Sequence, residues 1–405
     1  MAADKRLIVL TNDLPYPPNH GHKVDQYHRW RAFAAQGWRL RLICWRSPND
    51  PPVSPEDERV LRDTFEAIDV LPIPHRPPAL AARIARLGRY PSHVASRIPA
   101  ATTRKRLTRE AMAFAPAAVV IDNIYGGVLG ETLARACGVP AILRGHNIEH
   151  RYLAQQAAAT TSLRSKLAWT IARFGLERYE DALVRRVAWT FNISADDVAF
   201  WRGRGIERIS WVPTVFPDAG AVTILPPAEK RWDIAYIGNL RLPNNLRGIG
   251  WFIDAVLPHL RAARPGLSIV FAGANPSAAA LAMFARAPDI ELVPNAPSAD
   301  RILANGRVLI NPIRSGSGVN VKSIDMLRYD APIVTTTIGA QGFGPEVDGQ
   351  FQVHDDAAGF ANAIVSALAD PHAPAGRAEV RRLFGDVGVA NQIALIARIA
   401  GVPVD

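Results

Sequence analysis

Short, largely apolar runs of strand length recur along the first half of the chain, at residues 6–11, 39–45, 67–71, 119–122, 141–144 and 189–193. A strand with one face in water alternates apolar and polar side chains. A run without that alternation must be covered on both faces. Stretches of helical period separate the runs, the first at about 24–35, ending near Gly37. Strands alternating with helices of about 10–15 residues predict a parallel sheet coated on both sides. The pattern restarts after residue 232, with runs at 233–237, 267–272, 290–293, 308–312 and 332–336 and helices at 245–263 and 320–329. Residues 212–232 (VPTVFPDAGAVTILPPAEKRW) are rich in proline and small residues and have no period, so they read as a linker. A chain of 405 residues also exceeds what one hydrophobic core usually serves. The expectation is an α/β protein of two doubly wound, Rossmann-like domains, residues 1–215 and 216–387, facing across a cleft. A last helix at about 388–405 packs back on the first. Ligands of such sheets bind outside the carboxyl ends of the strands.

No apolar run approaches the roughly 18 residues of a membrane span. The first run is of strand length and is followed by polar residues and prolines rather than a cleavage site, so the sequence predicts a cytoplasmic protein. Cys44 and Cys137 have neither metal-ligand spacing nor the number for a disulfide framework, and read as buried thiols. The net charge of +10 is unevenly placed. Residues 1–215 hold 31 Lys and Arg against 20 Asp and Glu, and the remainder 16 against 17. Seven of the nine tryptophans fall in the same first half. A basic, Trp-rich surface suits an anionic membrane or nucleic acid, and an arginine-favouring genome produces the same bias. Residues 80–112 read as two short basic helices split at Tyr90-Pro91. Residues 161–186 read as one long amphipathic helix with Leu163, Leu167, Ile171, Phe174 and Leu183 near helical spacing. That helix either covers the sheet or faces a membrane.

The most informative segment is 311–343, NPIRSGSGVNVKSIDMLRYDAPIVTTTIGAQGF. A buried strand ends at Pro312, a loop carries Gly316 and Gly318, and a helix follows. Glycines let backbone approach a phosphate closely, and helix N-termini offer unpaired N–H groups. Lys322 in the first turn and Arg314 before the glycines add charge-assisted bonds to a diphosphate. Asp325, one turn after Lys322, could accept from ribose hydroxyls, or the two could form a local ion pair. There is no Gly-x-Gly-x-x-Gly after the first strand, no Gly-x-x-x-x-Gly-Lys-Ser/Thr loop, no Asp-x-Asp and no zinc-like His/Cys cluster.

The segment resembles the donor-binding signature of glycosyltransferase family 4, sugar transferases of GT-B fold common in bacterial polysaccharide and glycan biosynthesis. That signature has a strand ending in proline, a Gly-rich turn, a lysine, an acidic residue three positions on, and a proline before a Thr-rich strand. These fall here at Pro312, Gly316 and Gly318, Lys322, Asp325, Pro332 and Thr335 to Thr337, with Gly339 and Gly342 in the next turn. Upstream, YIGNLRLPNNLRGIGWFIDAVLPHL is similar to the opening of the same domain. The resemblance implies diphosphate contacts from Arg241, in the loop after Gly238, and from Lys322, with the turn Arg314, Gly316, Ser317, Gly318, Val319 and Asn320 around the donor. Asp325 stands where the family usually has the glutamate that holds the ribose, and the family's other acidic residue falls at Ser317. In the first half, Asn12 to Gly21 resembles the family's first loop, with Gly21 and His22 in place of a Gly-Gly pair. His146, Asn147 and Glu149 resemble a His-Asn-x-Glu segment, in which Glu149 either orients His146 or caps the next helix.

The resemblance therefore implies retaining transfer of a sugar from a nucleotide diphosphate to a glycan or lipid-linked acceptor. His146, Arg241 and Lys322 are the catalytic candidates, and His22, His146, Asn147 and Glu149 lie on the acceptor side. Arginine and lysine stabilise the leaving diphosphate, so no metal or other cofactor is expected. The basic first half implies peripheral contact with an anionic inner leaflet, and no nucleic acid. Two other classes remain open at this point: a sugar-nucleotide epimerase on the same fold, and a non-enzymatic binder using the basic half.

Overall fold

The computed structural model describes residues 4–403 apart from 19–20, 48, 74–76, 93–96, 161, 217–223 and 317. Part of the predicted linker (217–223) and Ser317 thus lie outside the described residues. The chain divides into two compact units, Met1–Pro217 with Asp386–Asp405, and Asp218–Gly385.

The first unit is built on β1 (Arg6–Thr11), β2 (Arg39–Arg46), β3 (Ala67–Pro72), β4 (Ala118–Asp122), β5 (Ala141–Gly145), β6 (Trp189–Asn192) and β7 (Ile209–Trp211). These form one sheet in the order β3-β2-β1-β4-β5-β6-β7, every pair parallel. Leu7, Ile8, Val9 and Leu10 are all fully buried, as a doubly covered strand requires. The period of two sends them to opposite faces. Leu7 and Val9 pack with Trp30 and Phe33 of helix Gly21–Ala35 and with Val389 and Ile396 of helix Asp386–Ala400. Ile8 and Leu10 pack with Leu107 of helix Ala101–Phe114 and Leu129 and Leu133 of helix Gly127–Cys137.

The second unit has β8 (Trp232–Ile237), β9 (Ile269–Gly273), β10 (Ile290–Pro294), β11 (Gly306–Asn311), β12 (Ile333–Thr335) and β13 (Phe351–Val353), ordered β10-β9-β8-β11-β12-β13 and again parallel. Strand order reverses at β1/β4 in one sheet and at β8/β11 in the other. Those are the points where open α/β sheets leave a crevice for ligand.

Three expectations are corrected. The helix over 161–186 is two helices, Leu163–Arg173 and Leu176–Arg186, broken at Gly175 with φ +68°. A Cβ at Gly175 would lie 1.3 Å from the Pro91 carbonyl oxygen, so only glycine lets the two segments meet there. Leu183 is buried, but Leu163, Leu167, Ile171 and Phe174 are 83%, 62%, 42% and 65% exposed, so this stripe does not cover the sheet. The helix expected over 245–263 contains a π turn at Phe252–Val256, flanked by Pro243–Trp251 and Leu257–Ala263. Pro258 has no N–H to continue the i−4 ladder, and the wider turn absorbs the gap. The helix expected over 320–329 spans only Val321–Met326. β7 and β13, three residues each, were not apparent in the hydrophobic pattern.

Candidate active site

In the second unit the loops after β8 and β11 lie side by side at the switch point. Helix Pro243–Trp251 brings them together. A Cβ at Gly248 would fall 2.5 Å from the Pro312 carbonyl oxygen, so the helix rests directly on the backbone that leaves β11. Asn245, in the first turn of that helix, donates from Nδ2 to the Asn239 carbonyl at 2.8 Å and thereby fixes the loop after Gly238. Its Oδ1 accepts from Lys322 Nζ at 2.8 Å. Lys322 Nζ also reaches the Tyr236 hydroxyl at 3.3 Å and stands 5.1 Å from the centre of that ring. No carboxylate among the described residues lies within 4 Å of the ammonium, so the alternative of a Lys322–Asp325 ion pair is not what is found. Burial lowers the Lys322 pKa from 10.5 to about 7. A cation tethered only by neutral oxygens, in a half-buried setting, is arranged to gain from an anion.

The rest of the loop is held from beneath. Asn311 Nδ2 donates to Asn320 Oδ1 at 3.1 Å and to Ser323 Oγ at 2.9 Å, and Ser323 Oγ donates to the Gly339 carbonyl at 2.6 Å. Thr335 Oγ1 donates to the Asn311 carbonyl at 2.9 Å and Thr336 Oγ1 to that of Ile313. These bonds explain why asparagine, serine and threonine stand here rather than apolar residues. Gly318 has φ +69°, and Gly316 and Val319 belong to the same loop. Arg241 is exposed, its amide bonded to Asn239 Oδ1 at 3.0 Å. Arg314 is engaged elsewhere, 4.7 Å over the Trp251 ring and bonded to the Asp355 carbonyl. Arg247, which the sequence did not single out, reaches this loop, its Nη2 donating to Ser315 Oγ at 2.7 Å. Burial raises the Asp325 pKa to about 6, and no described residue donates a hydrogen bond to its carboxyl.

In the first unit a polar pocket of about 260 Å³ is lined by Asn12, His22, Gln26, Asn123, Tyr125, His146, Asn147, Glu149 and Tyr152. It collects residues that follow β1, β4 and β5, and helix Gly21–Ala35 begins at Gly21. His146 Nε2 lies 2.6 Å from Asp122 Oδ1. Arg144 Nη1 donates to the same oxygen at 3.0 Å, and its Nη2 bonds Asp25. Asp25 in turn accepts from Arg29 Nη2 at 2.8 Å and from the Val215 amide at 2.8 Å. Burial opposes ionisation of Asp122, but Arg144 and then His146 outweigh it and hold the carboxyl far below the usual range. An ionised carboxylate accepts, so Nε2 carries the hydrogen. The other ring nitrogen has no bonded partner among the described residues. Asp122 was the functional residue most clearly missed. Its signal was present, an aspartate closing an otherwise apolar strand, AVVID.

Glu149 performs neither of its two expected roles. Its carboxyl accepts from the Tyr125 hydroxyl at 3.0 Å and from Asn123 Nδ2 at 3.5 Å. The amides of Glu149 and His150 are instead capped by Glu180, at 2.9 and 3.2 Å. Burial and then the neighbouring Glu180 raise the Glu149 pKa to about 7. Asn123 holds φ +96°, ψ 142°, a costly conformation for a residue with a side chain, and it does so on the pocket wall.

Residues 231–370 match the model of a family described as glycosyl transferases group 1. The second unit is a glycosyl transferases group 1 domain. Along the full chain, the sequence is similar to an uncharacterized 44.6 kDa protein in the cps region of Klebsiella pneumoniae, 22% identical over 385 residues, 89% of this chain and 90% of that one. Among solved structures, Anabaena HepE in complex with UDP aligns with a TM-score of 0.62 at 12% identity, over 98% of this chain and 100% of that one. Sucrose-phosphate synthase from Thermosynechococcus elongatus aligns with a TM-score of 0.59 at 15% identity, over 98% of each. These likenesses establish the fold as GT-B, two Rossmann-like parallel-sheet domains. The group 1 domain contains Lys322, Arg241, Asn245 and the glycine loop.

Proposed function

We propose that the protein is a retaining, metal-independent glycosyltransferase that moves a sugar from a nucleotide diphosphate to a glycan or lipid-linked acceptor. The observation that carries this reading is Lys322. Its ammonium is fixed by Asn245 and Tyr236 beside a glycine loop at the switch point of the group 1 domain, with no carboxylate within 4 Å among the described residues. A diphosphate supplies the missing charge, Arg241 adds a second cation, and the two stabilise the leaving group as the glycosidic bond breaks. Asp325 accepts from the ribose hydroxyls. In the first unit, the free ring nitrogen of His146 accepts a hydrogen bond from the sugar or the attacking hydroxyl, while Asp122 keeps the ring in one tautomer. HepE has been solved with UDP and with UDP-glucose, which supports a uridine nucleotide as the first donor to try. The cps-region relative supports a place in bacterial polysaccharide biosynthesis.

The same reading places the enzyme at the cytoplasmic face of the membrane. Among the described residues no single helix is long and apolar enough to cross a bilayer. Helix Leu163–Arg173 instead offers the exposed stripe Leu163, Leu167, Ile171 and Phe174 beside Arg164, Lys166 and Arg173, the composition of an interfacial helix.

Thermal-shift measurements against a panel of sugar nucleotides test the donor site. One or more should stabilise the protein, and Lys322→Ala should abolish the best shift. An unchanged shift in the variant refutes the assignment. Turnover in EDTA tests metal independence, and the anomeric configuration of the first-formed product tests retention.

A further inference from the structure

The first unit has a second cavity, distinct from the pocket around His146. It measures about 350 Å³ and opens at the carboxyl ends of β2 and β3. Trp45, Leu71 and Ile73 supply apolar wall, and Arg83, Arg86 and Arg97 bring three guanidiniums to it. Apolar walls with cations at the rim suit neither a plain metabolite anion nor a plain hydrocarbon. Roughly 150 Å³ holds a benzene-sized group, so this space takes an apolar group of about ten to fifteen carbons.

Arg97 links this cavity to the polar pocket. Its Nη1 donates to Asn12 Oδ1 at 3.2 Å, and its guanidinium lies 4.8 Å over the Tyr125 ring. Asn12 and Tyr125 both line the His146 pocket, and the Tyr125 hydroxyl holds Glu149. Among the described residues, no carboxylate lies within 4 Å of Arg97, and its Nε is buried without a hydrogen-bond partner. Three environments therefore follow in sequence: apolar cavity, arginine, and a polar pocket with His146.

We infer that this cavity is the subsite for the lipid end of the acceptor, a phosphate or diphosphate ester of an apolar alcohol. The first carbons of the chain occupy the Trp45–Leu71 wall, the phosphate meets Arg97, and the sugar beyond it enters the His146 pocket. The inference rests on the transferase reading and deepens it by naming the acceptor class.

The test is calorimetric titration of the full chain in a Lys322→Ala background, which removes the other proposed diphosphate site. The probes are farnesyl diphosphate below its micellar concentration, its two halves pyrophosphate and farnesol, and vesicles containing phosphatidylglycerol. Farnesyl diphosphate should bind at least tenfold more tightly than either half. Arg97→Ala should weaken it by about 10- to 100-fold, the range of a lost charge-assisted contact. Ala100→Trp, which fills the cavity from its exposed rim, should weaken farnesyl diphosphate tenfold or more and leave pyrophosphate unchanged. A melting temperature equal to that of the parent shows that each variant is folded, and Arg97→Lys substitutes if Arg97→Ala is not. Farnesyl diphosphate no tighter than pyrophosphate, or indifferent to Ala100→Trp, overturns the inference. Vesicle binding lost in Ala100→Trp overturns it in favour of a bilayer headgroup site. Because the titration uses no sugar nucleotide, it reads out even if the donor assignment fails.

Discussion

Lys322 makes a prediction with a definite sign. Burial lowers its pKa to about 7, against roughly 10.4 for a lysine in water. A bound diphosphate restores a counter-charge and moves the value back up. Above pH 7 the free protein must therefore take up a proton to bind. At pH 8.5 only ~3% of the free sites carry it, so donor affinity should be about 30-fold below its value at pH 6, a difference of about 2 kcal/mol. Calorimetry at pH 8.5 in two buffers of different ionisation enthalpy should report uptake of close to one proton. Asp325, with a pKa of about 6, is ionised at that pH whether or not ligand is present and does not confuse the count. Uptake of no proton at pH 8.5, with affinity flat between pH 6 and 8.5, would sink the reasoning.

The same depression makes a stability statement. The folded pKa lies below the unfolded one, so between about pH 7 and 10.5 the unfolded chain holds the extra proton. Stability should rise with pH across that window, and the full penalty applies below it. A depression from 10.5 to about 7 corresponds to roughly 4–5 kcal/mol. Lys322→Met should therefore melt at a higher temperature than the parent at pH 6 and lose that advantage by pH 10. A site that destabilises the empty fold and is relieved by its ligand is what a binding role predicts.

Asp122→Asn should lower turnover by about 10- to 1,000-fold by releasing the His146 tautomer, with donor affinity unchanged in the thermal-shift assay. Equal losses of both would assign Asp122 a purely structural role. Ile396→Ala should cost about 2–5 kcal/mol in denaturant unfolding, because Ile396 is fully buried in the core shared by Leu7, Trp30 and Phe33. Leu167→Glu combined with Phe174→Glu should abolish co-sedimentation with phosphatidylglycerol vesicles, and the parent's binding should weaken with salt. Retention of binding by the double variant would remove the helix from the membrane contact.

What was legible in the sequence was what is local. Strands buried on both faces, such as Leu7 to Leu10, announce themselves because every position must be apolar. Lys322 and the glycine loop could be read because the motif is contiguous. Asn245 and Arg97 could not be singled out, and Asp122 was marked only as an aspartate closing an apolar strand, because each acquires its role from residues distant in the chain. Asp122 is 24 residues from His146, Asn245 is 77 from Lys322, and Arg97 is 85 from Asn12. The break at Gly175 was hidden for the same reason, since only the approach of Pro91 forbids a side chain there. β7 and β13 were too short to carry a period.

The basic first half can now be divided by physical role. Arg29 and Arg144 are fully buried and matched by Asp25 and Asp122, so this network adds nothing to the surface charge and serves to hold His146. Arg41 and Arg106 are likewise paired with Asp69 and Glu110. The surplus of 31 cationic over 20 anionic residues must therefore be carried elsewhere. Arg83, Arg86 and Arg97 gather at the apolar cavity, and Arg164, Lys166 and Arg173 flank the exposed stripe. Both locations join positive charge to apolar surface, the combination that distinguishes a lipid phosphate from a nucleic acid, whose bases ask for stacking planes or groove-reading side chains. A single amphiphilic acceptor held at a bilayer surface accounts for both with one chemistry. If the vesicle contact and the farnesyl diphosphate site prove separable by mutation yet both are needed for turnover on a membrane-borne acceptor, the charge asymmetry is explained by the substrate rather than by genome composition.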